Sequence, residues 1–131
     1  MRVQVKSFMS SPVLTAVASN TVAEIRSKMQ DKGIHAIPIV DMVSELPNQE
    51  VLIKGIVTAT DLNSNLTEET KVEDLMSSVV HVIHQDSSAK SAAKMMLKHN
   101  VHHLVVMHEG KITGMISAID FVKLVEEHGV D

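Results

Sequence analysis

The chain of 131 residues contains no cysteine, no tryptophan and no tyrosine. Without cysteine there are no disulfides, no thiolate nucleophile and no thiolate zinc site. Phe8 and Phe121 are the only aromatics, so the core must be assembled from Val, Ile, Leu, Ala and the nine Met, an adaptable set of side chains. No basic run long enough to track a phosphate backbone occurs, and the formal charge is a mild −4, which argues against nucleic-acid binding. No apolar run reaches the length of a membrane span, and the opening "MRVQVKSFMS" lacks the apolar stretch of a signal peptide. A cytoplasmic protein without membrane contact is the expectation.

What is present is a repeat. Shifting Val5, Met9, Ser10, Ser11, Val13, Met29 and His35 by 67 places lands on Val72, Met76, Ser77, Ser78, Val80, Met96 and His102, identical each time. Beyond "HAIPIVD" the shift falls to 59, because the first half carries a polar insert around "MVSELPNQE", which reads as a loop. Gly55, Thr58 and Asp61 of "GIVTATD" then match Gly114, Ser117 and Asp120 of "GMISAID". The division this predicts is 1–66 for the first repeat and 67–131 for the second.

Each repeat reads as β-α-β-β-α, an α/β (α+β) fold. Strands are expected around Val13 to Thr15 and Val80 to Ile83, followed by helices in "SNTVAEIRSKMQDKG" and "DSSAKSAAKMMLKHN". Val22, Ile25 and Met29, and likewise Ala89, Ala92 and Met96, fall at helical spacing and predict one apolar stripe per helix. "AIPIV" with "EVLIKGIVT" and "HLVVM" with "KITGMIS" predict paired strands, the second pair joined by a tight turn at "HEGK". Final helices should begin near "ATDL" and "AIDFVKLVEEH". Halves of this size are marginal alone, so the expectation is one module whose two halves bury a shared face.

In the repeated heptad the hydroxyl residue stands where strand becomes helix. Free N–H groups there favour an anion, and Thr58 or Ser117 adds a hydroxyl donor for phosphate. Asp61 and Asp120, one turn on, suit the vicinal hydroxyls of a ribose. The competing interpretation is that both pairs only cap helices.

These features together resemble a tandem pair of cystathionine-β-synthase (CBS) domains, a Bateman module. The resemblance rests on "VKSFMSSPVLTA" and "VEDLMSSVVHVI", on "GIHAIPIVD" and "NVHHLVVMH", and on the two closing heptads. It implies two pseudo-symmetric repeats packed sheet to sheet, and a regulatory, non-catalytic sensor of an adenosine-containing ligand: AMP, ADP, ATP or, less often, S-adenosylmethionine. It also implies a disc-like homodimer and an effector protein that receives the signal. Carried over by resemblance, one site combines Ser117 and Asp120 with Met9, Leu14, Ile34 and His35. The other combines Thr58 and Asp61 with Met76, His81, Val101 and His102. Where nucleotide-binding members often have an arginine that meets phosphate, this chain has His103, which weakens phosphate attraction at neutral pH and predicts tighter binding as pH falls.

Eight histidines raise the question of a metal, but His102 and His103 are adjacent on an expected strand and His99 has no partner at helical spacing, so no metal site is expected. No nucleophile elbow, Walker loop or paired carboxylates point to catalysis. The rival function is a protein-interaction or structural CBS module that binds no nucleotide physiologically. In either case Phe121, Leu124 and Val125 are candidates for contact with a second copy, and exposure of Ile119 or Leu62 would favour it.

Overall fold

The computed structural model describes residues 3–42, 51–63 and 67–129. The expected insert loop lies almost wholly outside them. Five strands and three α-helices are present among these residues: α1 (Val22–Lys32), β1 (Ala36–Met42), β2 (Val51–Thr58), β3 (Val82–His84), α2 (Ala89–His99), β4 (His103–His108), β5 (Lys111–Ser117) and α3 (Ala118–His128).

Both repeat-opening helices form for the anticipated reasons. In α1, Thr21 accepts from the Glu24 amide while the Glu24 carboxylate accepts from the Thr21 amide, and Gly33 ends the helix at φ +63. In α2, Ser88 caps the Ser91 amide, and Asn100 takes the left-handed position at φ +52. Val22, Ile25 and Met29 are buried, as are Ala92 and Met96.

Two compact units emerge, and they do not follow the order of the chain. One comprises Leu14–Val80; the other joins Met1–Val13 to His81–Asp131. The opening segment of each repeat therefore packs with the strands of the other repeat. In the Leu14–Val80 unit, β1 and β2 form an antiparallel hairpin. Its core is Val22, Ile25, Met29, Ile37, Ile39, Val57, Leu62 and Val72. In the other unit β3 pairs parallel with β4, and β4 antiparallel with β5. Val5, Ile83, Ala92, Met96, Leu104, Val106 and Ile116 form its core, and Phe8 meets Phe121 edge-on at 5.1 Å.

Three local expectations change. Val13 to Thr15 is not a strand: a single parallel bridge joins Ala16 to Ile39, and one bridge is all this short stretch contributes. The first repeat does not enter an α-helix at "ATDL" but makes a 3-10 turn over Asp61–Asn63, where Asn63 is a residue type whose side chain competes with helix hydrogen bonds. Phe121 and Leu62, read as candidates for an exposed apolar face, instead serve their own cores; Ile119, Val122 and Val125 are the exposed apolar residues of α3.

Candidate functional site

The two glycine heptads are built alike, and the glycine has a structural cause. Each hairpin shifts register at the same place, between Ile39 and Val40 and between Val106 and Met107, opposite Gly55 and Gly114. Beside each bulge the opening segment of the other repeat crosses the strand. Ile56 and Ser77 exchange backbone hydrogen bonds of 2.9 and 3.0 Å, and Ser10 and Met115 exchange bonds of 2.8 and 3.0 Å. A Cβ on Gly55 would stand 2.6 Å from the Ser77 carbonyl oxygen, and one on Gly114 would stand 2.9 Å from that of Ser10 and against the Met9 sulfur. Only glycine admits the crossing without displacement.

The hydroxyl and acidic residues also recur in one geometry. The Thr58 N–H donates to Asp61 Oδ2 at 2.8 Å, and the Ser117 N–H donates to Asp120 Oδ2 at 2.8 Å. The Thr58 hydroxyl adds a bond of 3.2 Å to the same oxygen. Each aspartate thus closes the turn that starts its helical segment, as the capping interpretation holds. Asp120 is buried, at 7% exposure, and holds the Ser117 N–H through Oδ2.

Next to each turn lies a groove, and the two grooves are lined at equivalent positions. The first, of about 350 Å³, is bounded by Arg26, Met29, Gly33, Ile34, His35 and Leu62, among others. The second, of about 360 Å³, is bounded by Ala93, Met96, Asn100, Val101, His102 and Phe121, among others. A backbone bond joins the same two elements in both, Ala59 N–H to the His35 carbonyl at 2.8 Å and Ala118 N–H to the His102 carbonyl at 3.0 Å. The charged difference is Arg26, which pairs with Glu68 and donates to the Leu62 carbonyl at 2.9 Å, where the second groove has Ala93; Gln30 likewise stands where the second groove has Leu97.

The residues singled out from the sequence divide between the units. Leu14, Ile34, His35, Thr58, Asp61 and Met76 belong to one; Met9, His81, Val101, His102, His103, Ser117 and Asp120 belong to the other. Ile34 with His35, and Val101 with His102, line the grooves. Met76 and Met9 pack at Gly55 and Gly114. His103 opens β4 directly opposite Ser117. His81 stacks on His99 with ring centroids 4.0 Å apart, and desolvation followed by the neighbouring charges of His81 and Lys98 lowers the His99 pKa. Sequence reasoning did not find Arg26; its only signal was a cation in the first repeat at the place of Ala93 in the second.

A CBS domain matches residues 5–68 and again residues 72–127. The chain belongs to the CBS-domain family and is a tandem pair of such domains. Two structures of the CBS domain pair of protein MJ0100, in complex with 5′-methylthioadenosine and S-adenosyl-L-methionine, match with TM-scores of 0.83 and 0.78. They are 23% and 25% identical, covering 97% and 92% of this chain and 98% of theirs. An uncharacterized protein of Methanocaldococcus jannaschii, MJ1232, is 30% identical over 80% of this chain. An inosine-5′-monophosphate dehydrogenase of Chlorobaculum parvum is 27% identical over 92% of it. The chain spans 33% of the first and 25% of the second. Among the described residues, no helix is long and apolar enough to cross a membrane.

Proposed function

We propose that this CBS pair is a regulatory module that binds an adenosine-containing ligand and reports its occupancy to a partner protein. The observation that carries the reading is the twofold turn in which Thr58 and Asp61, and again Ser117 and Asp120, present a hydroxyl and a carboxylate at the start of a helical segment. A hydroxyl at a helix start suits phosphate, and a carboxylate suits ribose hydroxyls. The ligands of the MJ0100 pair share the adenosine moiety with AMP, ADP and ATP, which supports that class over other anions.

The proposed binding residues are the thirteen-membered set divided between the two units, with Leu14, Ile34, Val101, Met9 and Met76 as apolar neighbours of the adenine. The module acts without catalysis of its own, in the cytoplasm, and as a homodimer. Exposed Leu97 on α2, and Ile119, Val122 and Val125 on α3, are the apolar surface that supports self-association. The same surface favours the second reading, an interaction module with no physiological nucleotide.

Thermal shift with AMP, ADP, ATP, S-adenosylmethionine, 5′-methylthioadenosine and GMP, confirmed by calorimetry, separates the two. A ligand at 100 times its Kd should stabilise the fold by about 2.7 kcal/mol. A response selective for adenosine compounds supports the sensor. Silence across the panel leaves the interaction module.

A further inference from the structure

We propose that His84, His108 and Asp86 form a binding site for a divalent transition-metal cation, separate from the adenosine-ligand reading and independent of it. β3 ends at His84 and β4 at His108, and the parallel register sets His84 beside Met107, so both imidazoles leave one sheet end side by side. His84 Nε2 lies 3.2 Å from His108 Nδ1, with the rings at 70°. A tetrahedral zinc with bonds of about 2.0–2.1 Å holds two ligand nitrogens about 3.3 Å apart. The pair already stands at that spacing.

Ring orientation matters because the nitrogen lone pair lies in the ring plane. His84 Nε2 and His108 Nδ1 face each other at 3.2 Å across inclined rings, so one ion between them would meet both nitrogens. The His81–His99 rings instead stack face to face at 21°, with no carboxylate grouped beside them among the described residues. One ligand atom from each of His84, His108 and Asp86 lies within 4.8 Å of the others, and the exposed Asp86 carboxylate, its Oδ2 3.7 Å from His84 Nδ1, stands beside the pair as the third ligand. Water completes the shell. Two imidazoles and one carboxylate suit Zn²⁺, Ni²⁺ or Cu²⁺ rather than Mg²⁺ or Ca²⁺.

The surrounding groups fit this use. The Asp86 N–H donates to His84 Nδ1 at 3.0 Å, so in the metal-free state the His84 proton sits on Nε2 and points at His108. The metal takes that proton's place; the proton moves to Nδ1 and the Asp86 amide is released. His108, bound through Nδ1, keeps its Nε2–H toward the Glu109 carboxylate, 3.6 Å away, an outer partner that orients it. Lys6 is the competitor. Its ammonium stands 2.9 Å from Asp86 Oδ1, and this hydrogen bond, before the charges of Lys6, His84 and His108, lowers the Asp86 pKa and keeps the carboxylate ionised. The first repeat has no counterpart, with Val17, Ser19 and Asp41 at the equivalent positions.

The test is calorimetric titration of the full chain with Zn²⁺, and with Mg²⁺ as control, in non-chelating buffer at about pH 7.5, above the histidine range. The expected result is one zinc per chain and no heat with Mg²⁺. His84→Ala and His108→Ala should each weaken zinc binding at least about tenfold. Lys6→Gln should tighten it and His99→Ala leave it unchanged. Both ligand side chains are partly exposed, 50% and 37%, so the variants should retain the native melting temperature. Imidazole nitrogen resonances should show the His84 proton moving to Nδ1 on zinc addition. No zinc binding by the native chain, or undiminished binding by the His84→Ala, His108→Ala double variant, overturns the site.

Discussion

The two units carry the same hairpin, with the same bulge and the same glycine, yet they leave that hairpin differently. After Ser117 the chain runs into an α-helix of 11 residues; after Thr58 it makes a 3-10 turn of three. The capping aspartate is common to both, so helix length is set by the residues beyond the cap. "FVKLVEEH" continues with helix formers and further apolar positions, whereas after Leu62 the first repeat has Asn63, whose side chain competes with helix hydrogen bonds. The cations differ too, since Arg26 ties α1 to Glu68 and to the Leu62 carbonyl, while Ala93 ties nothing. A repeat thus preserves a crossing and a turn while its surroundings diverge.

Substitution of the crossing glycines tests the shared part and should have the largest effect. Gly55→Ala and Gly114→Ala should each destabilise by about 1–3 kcal/mol, the usual cost of overpacking. Gly55 should be the worse, because its Cβ meets a carbonyl oxygen at 2.6 Å rather than 2.9 Å. Denaturant melts check this, and two neutral variants would remove the crossing as the reason for glycine.

The caps come next. Asp120→Ala should cost about 1 kcal/mol, as loss of a helix cap does. Asp61→Ala should cost less, since it begins only a short turn. Equal losses would mean that the turn, and not the helix behind it, carries the stabilisation. Both variants should also lower the affinity for any adenosine ligand found, and unchanged affinity would remove these carboxylates from the site.

Arg26→Ala makes the first groove resemble the second. With its partner Glu68 largely exposed, the expected loss is below about 1 kcal/mol, readable as a small shift in melting temperature. A larger loss would locate the stabilisation in the bond to the Leu62 carbonyl.

The smallest effect distinguishes the two first helices by acid. Glu24 accepts the Thr21 backbone bond, which lowers its pKa from 4.5, whereas α2 has Ser91 at that position. A depressed carboxylate contributes stability that is present above the unfolded value and lost as pH falls through the folded one. Glu24→Gln should therefore reduce stability slightly at neutral pH and flatten its decline below about pH 4.5, the unfolded reference. An unchanged acid profile would show that this exposed cap contributes nothing measurable.

Much of the architecture was legible because it is local. Helix stripes at Val22, Ile25 and Met29, end signals at Gly33 and Asn100, and β-rich pairs around "HEGK" each depend on residues close in sequence. The hairpin turn follows the same rule, with Glu109 and Gly110 at φ +51 and +77. The histidine pair was not legible. His84 and His108 are brought together by a parallel register between β3 and β4, and no spacing rule within either strand predicts it.

The sequence by itself determined that there are two copies of one core, a capped helix followed by a paired hairpin and a capped turn, because period, caps and turn residues act over a few positions. It also determined the family, through motifs that recur in order. Only the tertiary structure decided that each opening segment serves the other repeat's hairpin, why the heptad begins with glycine, and which histidines meet. Those outcomes depend on contacts between residues far apart in the chain, where packing and register choose among arrangements that local preference leaves equal.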